Sequence, residues 1–403
     1  MGDAATRVGV VGASPDRGWA ARAHLPALLA LPGYTVTAVG TSRTESAQAA
    51  ARVFGAPHAF TDPRRLAEHP EVDLVVVTVK VPAHAELVGA ALAAGKHVYC
   101  EWPLARTTDE AAALASTARG TGVHHVVGLQ ARYAPAIAYA RDLVAAGRVG
   151  RVTSATVHAS RAGRADGLTP AWAAYTLDRQ NGAGTLEVAG GHTLDAVQHL
   201  LGSEVCELSA VLSVQRRTAT IAGSGAVVEA TSPDHLLVHG ALSSGAVLSA
   251  VVHDGKATDA GTRVEVSGTE GDLLLVSAGA SASAGVQVGE LRLYGSAGRV
   301  GAYEELPVPG RYRWASGIEP SAEGFNVAQL YARLARDLRT GARTVPDFDA
   351  GLRVHRVLDA VRRAAEGGAR QRAGAPQGRT ESRNASPTAC IRTSPHVRDT
   401  MQP

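Results

Sequence analysis

Residues 73–105 read DLVVVTVKVPAHAELVGAALAAGKHVYCEWPLA, and this stretch decides the architecture. DLVVVTV (73–79) is apolar at nearly every position rather than at alternate ones, as a strand must be when both faces of its sheet are covered. AHAELVGAALAAG (83–95) reads as a helix that stops on its glycine. HVYC (97–100) is a second strand. Strand, helix and strand in this order make a parallel crossover unit.

The same alternation extends to both sides. RVGVVG (7–12) and YTVTAVG (34–40) are strands, and GWAARAHLPALLAL (18–31) and ESAQAAARVF (45–54) are helices, the first kinked or split by Pro26. A helix from about Thr108 to Ala118 and the strand HHVVGL (124–129) complete the series. Residues 1–129 are therefore expected to form an α/β domain around a doubly wound parallel sheet. After residue 130 the pattern changes to period-two strands: RVTSATVHA, SEVCELSAVLSV, DHLLVHGAL, GAVLSAVVH, TRVEVSG, DLLLVS and VGELRLYG. With helices near 134–146, 192–201, 323–340 and 350–365, residues 130–365 read as an α+β domain on a largely antiparallel open sheet. Residues 366–403, rich in Gly, Pro, Ser and Arg without periodicity, read as a disordered tail.

Composition narrows the function classes. The chain of 403 residues is 45% apolar and 19% charged, enough for a sizeable core. No apolar run nears membrane-spanning length and the N-terminus lacks signal-peptide character. Of the formal +3 charge, six arginines against Glu366, Glu381 and Asp399 place all +3 in the tail, which leaves residues 1–365 neutral. No basic face for nucleic acid is expected. Cys100, Cys206 and Cys390 fit no zinc spacing, so no metal site and no disulfide framework are expected, and a reducing cytoplasm is the expected compartment.

The first strand runs into Gly12-Ala13-Ser14-Pro15-Asp16-Arg17-Gly18, followed by Trp19 and a helix. Such a turn lets backbone N–H groups and a helix N-terminus approach a pyrophosphate. The strict G-x-G-x-x-G spacing is absent, because Ser14 stands at the second glycine and one extra residue precedes Gly18. An ordinary tight turn would look the same. The second strand ends on Gly40-Thr41-Ser42-Arg43, without the acid that holds ribose hydroxyls. Ser42 and Arg43 suit a 2′-phosphate, so NADP is expected with NAD as the alternative, unless Arg43 is a solvated loop residue.

The stretch 73–105, with VGLQAR (127–132) and GGHTLD (190–195), resembles the hallmark segments of the glucose–fructose oxidoreductase/inositol dehydrogenase/MocA (Gfo/Idh/MocA) family. The resemblance covers about residues 6–365. GWAARAHLPALLAL, EWPLA, SPDHLLVHGAL and SGTEGDLLL bring it closest to the branch of the fungal galactose-regulon repressor. It implies a Rossmann domain joined to an open-sheet domain that often mediates dimers or higher homo-oligomers. It also implies a nicotinamide coenzyme and a sugar or polyol substrate or, on the repressor branch, a catalytically silent regulator with a protein partner.

In the family's enzymes a lysine follows the glutamate at Glu101, where this chain has Trp102. An aspartate lies four residues before the histidine at His192, where this chain has Val188, with Glu187 one place off. An indole carries no titratable proton; Trp102 either walls the pocket or fills core. His192 is the candidate proton donor with a pKa near neutrality, or else a hydrogen-bonded core histidine. Lys80, one of three lysines, is the candidate substitute ammonium if its strand end desolvates it, or else snorkels or touches a cofactor phosphate. Val79, His84, Glu101 and Trp102 are expected on the cofactor side. Gln130, Arg132 and Asp195 are expected on the substrate side.

Overall fold

The computed structural model describes residues 5–279, 284–296 and 301–373. Its first sheet contains β1 (Thr6–Val11), β2 (Tyr34–Gly40), β3 (His58–Phe60), β4 (Leu74–Val77), β5 (His97–Glu101) and β6 (His125–Gly128), all parallel, in the order β3-β2-β1-β4-β5-β6. The apolar runs are buried as expected: Val75, Val76 and Val77 are at most 1% exposed. Strand order reverses between β1 and β4, and in such sheets the crevice outside the carboxyl ends at that point takes the ligand.

The predicted kink at Pro26 takes a specific form. Residues 18–30 stay helical, but Ala20–His24 is a π-turn in which Leu25 N–H reaches Ala20 O. Pro26 has no N–H to donate and its ring crowds the carbonyl four residues back, so the preceding turn widens. A second π-turn, Leu186–Gly190, opens the helix Gly191–Leu201.

The second domain is a nine-stranded sheet in the order Tyr303–Glu305, Glu290–Ser296, Asp272–Ala278, Thr262–Gly268, Val152–Arg161, Val247–Asp254, His235–Leu242, Val205–Ser213 and Gln371–Arg372. Only Val152–Arg161 beside Val247–Asp254 is parallel. A three-stranded sheet (Leu168–Thr169, Thr218–Ile221, Val227–Glu229) flanks it.

Three features differ from the sequence reading. The helix Phe325–Thr340, read with the second domain, packs its Val327, Leu330, Tyr331 and Leu334 into the core formed by β1, β2 and the helix after β1. Tyr331 drives this: it is fully buried, stacks 5.0 Å from Tyr99, and its backbone carbonyl accepts from Tyr34 Oη. Residues 366–373, expected in the tail, are ordered: the helix Phe348–Gly367 includes Glu366, and Gln371–Arg372 pairs with Val205–Ser213. The rest of the expected tail, 374–403, lies outside the described residues. Cys206 is disulfide-bonded, against the expectation of a chain without disulfides, while Cys100 is a free, buried thiol. Among the described residues no helix is long and apolar enough to cross a membrane.

Candidate functional site

Two cavities that share Gly12, Ser14, Arg17 and Val79 run along the carboxyl ends of β1, β2, β4 and β5. The first, about 430 Å³, lies beyond β2, with Thr41, Ser42, Arg43, Ser46 and Arg17 in its wall and no carboxylate among its lining. Arg17 and Arg43 both act on the carboxyl of Asp16, which is held below its ordinary value first by the Ser14 hydroxyl at 2.8 Å. Arg17 and Arg43 both line this end of the crevice. Gly12 has φ +96°, and a Cβ there would stand 2.9 Å from Thr78 Oγ1. Only glycine lets the turn lie this close to β4. Ala13, expected to touch a cofactor, instead packs in the core, 0% exposed, and its N–H donates to Gly40 O.

The second cavity, about 530 Å³, lies between the domains. Gly18, Trp19, Val79, His84, Glu101 and Trp102 border it from the first domain, Gln130 from the junction, and Val188, His192, Gln287 and Val288 from the second domain. Nine buried side-chain nitrogen and oxygen atoms lack a hydrogen-bond partner among the described residues; four of them, Trp19 Nε1, Gln130 Oε1, His192 Nδ1 and Gln287 Oε1, belong to residues lining this one cavity. Each such atom costs about 1–3 kcal/mol when left unmade. Their concentration here is the mark of a site built for a polar ligand.

Two further titratable groups in this wall, Glu101 and His84, are occupied. Glu101 accepts from His24 Nε2 at 3.0 Å and from Tyr99 Oη at 3.2 Å, and His24 Nδ1 lies 2.8 Å from Tyr331 Oη. This relay ties the helix Phe325–Thr340 to the cavity wall and fixes the carboxylate. Both ring nitrogens of His84 face carbonyls, Pro103 O at 2.8 Å and Val79 O at 3.1 Å, and burial lowers its pKa. His84 thus pins the ends of β4 and β5 together.

Several expectations need correction. His192 is 2% exposed, and burial, then Arg161, pushes its pKa down to about 3. It is a neutral imidazole at physiological pH, not an acid poised near neutrality. Lys80 is exposed rather than desolvated, because β4 ends at Val77 and the chain has already left the sheet; its Nζ lies 5.0 Å over the Tyr175 ring at the cavity mouth. Trp102 is both wall and core: its edge lines the cavity, its ring lies 4.8 Å from His355, and its Nε1 donates to Glu187 O at 2.8 Å. Glu187 does not replace the missing aspartate, since its carboxylate accepts from Gly184 N and Arg362. Arg132 and Asp195 are absent from the crevice. They bind each other through two hydrogen bonds of 2.9 and 2.6 Å and border a different pocket. Asp195 follows His192 by three positions, yet only the histidine reaches the cavity.

Sequence reasoning missed Arg17, Tyr175, Trp172 and Gln287 in this wall. Tyr175 and Trp172 come from the short 3-10 helix Ala171–Leu177, whose sequence carries no motif, and Gln287 from a loop with none. Outside the crevice, His58, His69 and Glu71 also lie together, a grouping their sequence spacing did not show.

A model of the oxidoreductase family with an NAD-binding Rossmann fold matches residues 6–129, and a model of the Gal80p C-terminal domain matches residues 135–277. The dehydrogenase AclE of Aspergillus oryzae is 40% identical over 49% of this chain and 55% of its own length, so the chain spans about half of that relative. The 1,5-anhydro-D-fructose reductase of Ensifer adhaerens is 32% identical over 66% of this chain and 75% of its own. A solved super-repressor mutant of Gal80p from Saccharomyces cerevisiae has the same fold, with TM-score 0.80 and 24% identity over 92% of this chain and 98% of that one.

Proposed function

We propose, from the premise that this chain belongs to the Gfo/Idh/MocA oxidoreductase family, that it is an NAD(P)-binding oxidoreductase acting on a hydroxyl or carbonyl of a sugar-like or polyol substrate. The observation that carries the reading is the ring of four orphaned polar atoms around the cavity at the strand-order reversal. The residues fit the coenzyme: Gly12 lets the turn pack closely against Thr78, a Cβ at Gly18 would meet nothing within 4 Å, and Gly18 and Trp19 begin a helix there. When bound, the nicotinamide ring supplies or accepts the hydride.

This chain's own residues do the rest. Gln130, His192 and Gln287 orient the substrate through the atoms that now lack partners. Trp102 and Val188 exclude water from the floor. Glu101 and both ring nitrogens of His84 are engaged, which leaves His192, and Tyr175 with Lys80 at the mouth, to exchange the hydroxyl proton. We assign the first transfer to His192 Nδ1. A positioned proton carrier contributes about 10²–10⁴-fold, so His192→Ala is expected to lower kcat by roughly a hundredfold across a panel of polyols and keto-sugars. Because its pKa in the free protein is about 3, kcat/KM is expected to show no inflection from this group between pH 5 and 8; a kcat left within about threefold in His192→Asn would contradict the assignment.

The coenzyme preference proposed is NADP(H). Arg17, Ser42 and Arg43 line a pocket whose lining holds no carboxylate. Arg43→Ser is expected to weaken NADP+ by about tenfold or more and to leave NAD+ within a factor of about three. Equal losses for both coenzymes would remove the 2′-phosphate contact. Assembly as a homo-oligomer and a cytoplasmic location complete the proposal.

One observation favours a second reading. With Trp102 and Val188 in the lining and Lys80 exposed, the described lining encloses no ammonium, and its one carboxylate, Glu101, is already held by His24 and Tyr99. A coenzyme-binding regulator with a protein partner, as the match to the Gal80p C-terminal domain suggests, needs none. Saturable coenzyme binding without turnover on any panel member would select it.

A further inference from the structure

A separate pocket of about 400 Å³ lies along the helix Gly191–Leu201. It is walled by this helix, the helix Pro135–Ala145 and the helix Phe348–Gly367. Four guanidinium groups meet there, those of Arg132, Arg141, Arg353 and Arg356, against only two carboxylates. The carboxylates do not neutralise them evenly. Asp195 is spent on Arg132, with both oxygens engaged. Glu204, 72% exposed, reaches Arg353 loosely at 3.7 Å. Arg141 and Arg356 make no ion pair or hydrogen bond among the described residues.

The imidazole of His199 also faces the pocket and hydrogen-bonds nothing among the described residues. Its pKa is pushed down to about 3 by burial, then by Arg132 and Arg141, as expected of a ring held in a positive field. The fixed pair Arg132–Asp195 supplies a rigid floor, while Arg141 and Arg356 stand exposed at the rim. A planar guanidinium fork matches the oxygens of phosphate or carboxylate. Two unpaired forks facing one hollow are therefore a geometry for an anion with several oxygens.

We infer that this pocket is a binding site for a small multivalent oxyanion, a phosphate monoester or a polycarboxylate, independent of the coenzyme crevice. The site adjoins the crevice structurally. Arg132 follows Gln130 within one short turn, and Asp195 follows His192 within one turn of helix.

The test is titration calorimetry of the full chain with citrate and, separately, with inorganic phosphate. The expected result is saturable binding of at least one of the two, weakened roughly tenfold or more in Arg141→Gln/Arg356→Gln and unchanged in Arg17→Gln/Arg43→Gln. Citrate binding alone identifies the polycarboxylate and phosphate binding alone the phosphate ester. Both pairs are exposed side chains, and an unaltered thermal transition checks folding. No saturable binding of either anion, or binding lost in the Arg17/Arg43 pair and kept in the Arg141/Arg356 pair, overturns the inference. Because the readout is independent of turnover, failure of the oxidoreductase reading leaves it standing.

Discussion

Arg132→Met is expected to lower the unfolding free energy by about 3–5 kcal/mol while leaving coenzyme affinity within about threefold. The guanidinium serves the 3%-exposed carboxylate of Asp195 through two hydrogen bonds. Removing it leaves a buried charge without compensation, which costs far more than the pair itself contributes. Asp195→Leu in the same chain should recover most of the loss, since two apolar groups leave nothing unpaired. Urea unfolding of the single and double variants measures this. A loss below about 1 kcal/mol with a large rise in KM would return the pair to the substrate site, where the motif alone had put it.

The second large effect is acid sensitivity. His192 and His355 are 2% and 3% exposed, and burial is the main cause that holds each pKa down to about 3, with Arg161 and Arg362 adding. The unfolded chain takes up a proton at each near pH 6.5, and the folded chain does not until about pH 3. The unfolded state therefore binds more protons throughout that window, and stability falls as pH drops. Between pH 7 and pH 5 each histidine should cost on the order of 2 kcal/mol, about 4 kcal/mol together. His355 can be probed without touching the cavity: its ring lies against Trp102 and its Nε2 has no partner among the described residues. His355→Gln should flatten the fall between pH 7 and 5 by about 2 kcal/mol whatever it does to stability at pH 7. An unchanged slope would mean that the ring is already protonated or solvated in the folded protein.

The legible parts of the fold were those where burial writes itself into the sequence. DLVVVTV had to be an inner parallel strand, and the period-two runs after residue 150 became strands of the second sheet at nearly the expected positions. β3, only three residues long, carries too little pattern to see. The π-turns leave the polarity pattern untouched, because one carbonyl is skipped while the same residues stay helical. The docking of Phe325–Thr340 on the first domain depends on where Tyr331 meets Tyr99 and His24, partners more than 230 residues away that no local period announces.

The site was legible as a list of elements and less so as a list of side chains. Gly12, Ser14, Gly18, Arg43, Val79, Glu101, Gln130 and His192 all reach the crevice because strand ends and first turns put them there. Of the two readings of Lys80, the desolvated ammonium falls away because the strand stops three residues before it and the side chain is exposed. Arg132 and Asp195 share motifs with Gln130 and His192 but pair with each other and line a neighbouring pocket, and such a pairing is not visible in a motif. The charge state of His192 follows from burial by both domains at once, which neither segment shows alone.

Equilibrium dialysis of the full chain against NADPH and, separately, NADH decides whether the crevice at the strand-order reversal is a coenzyme site. One equivalent of reduced coenzyme is expected to bind per chain, more tightly for NADPH than for NADH. Retention of neither coenzyme, at concentrations where the folded state is confirmed by its thermal transition, would contradict this and would remove the oxidoreductase and the regulatory readings together.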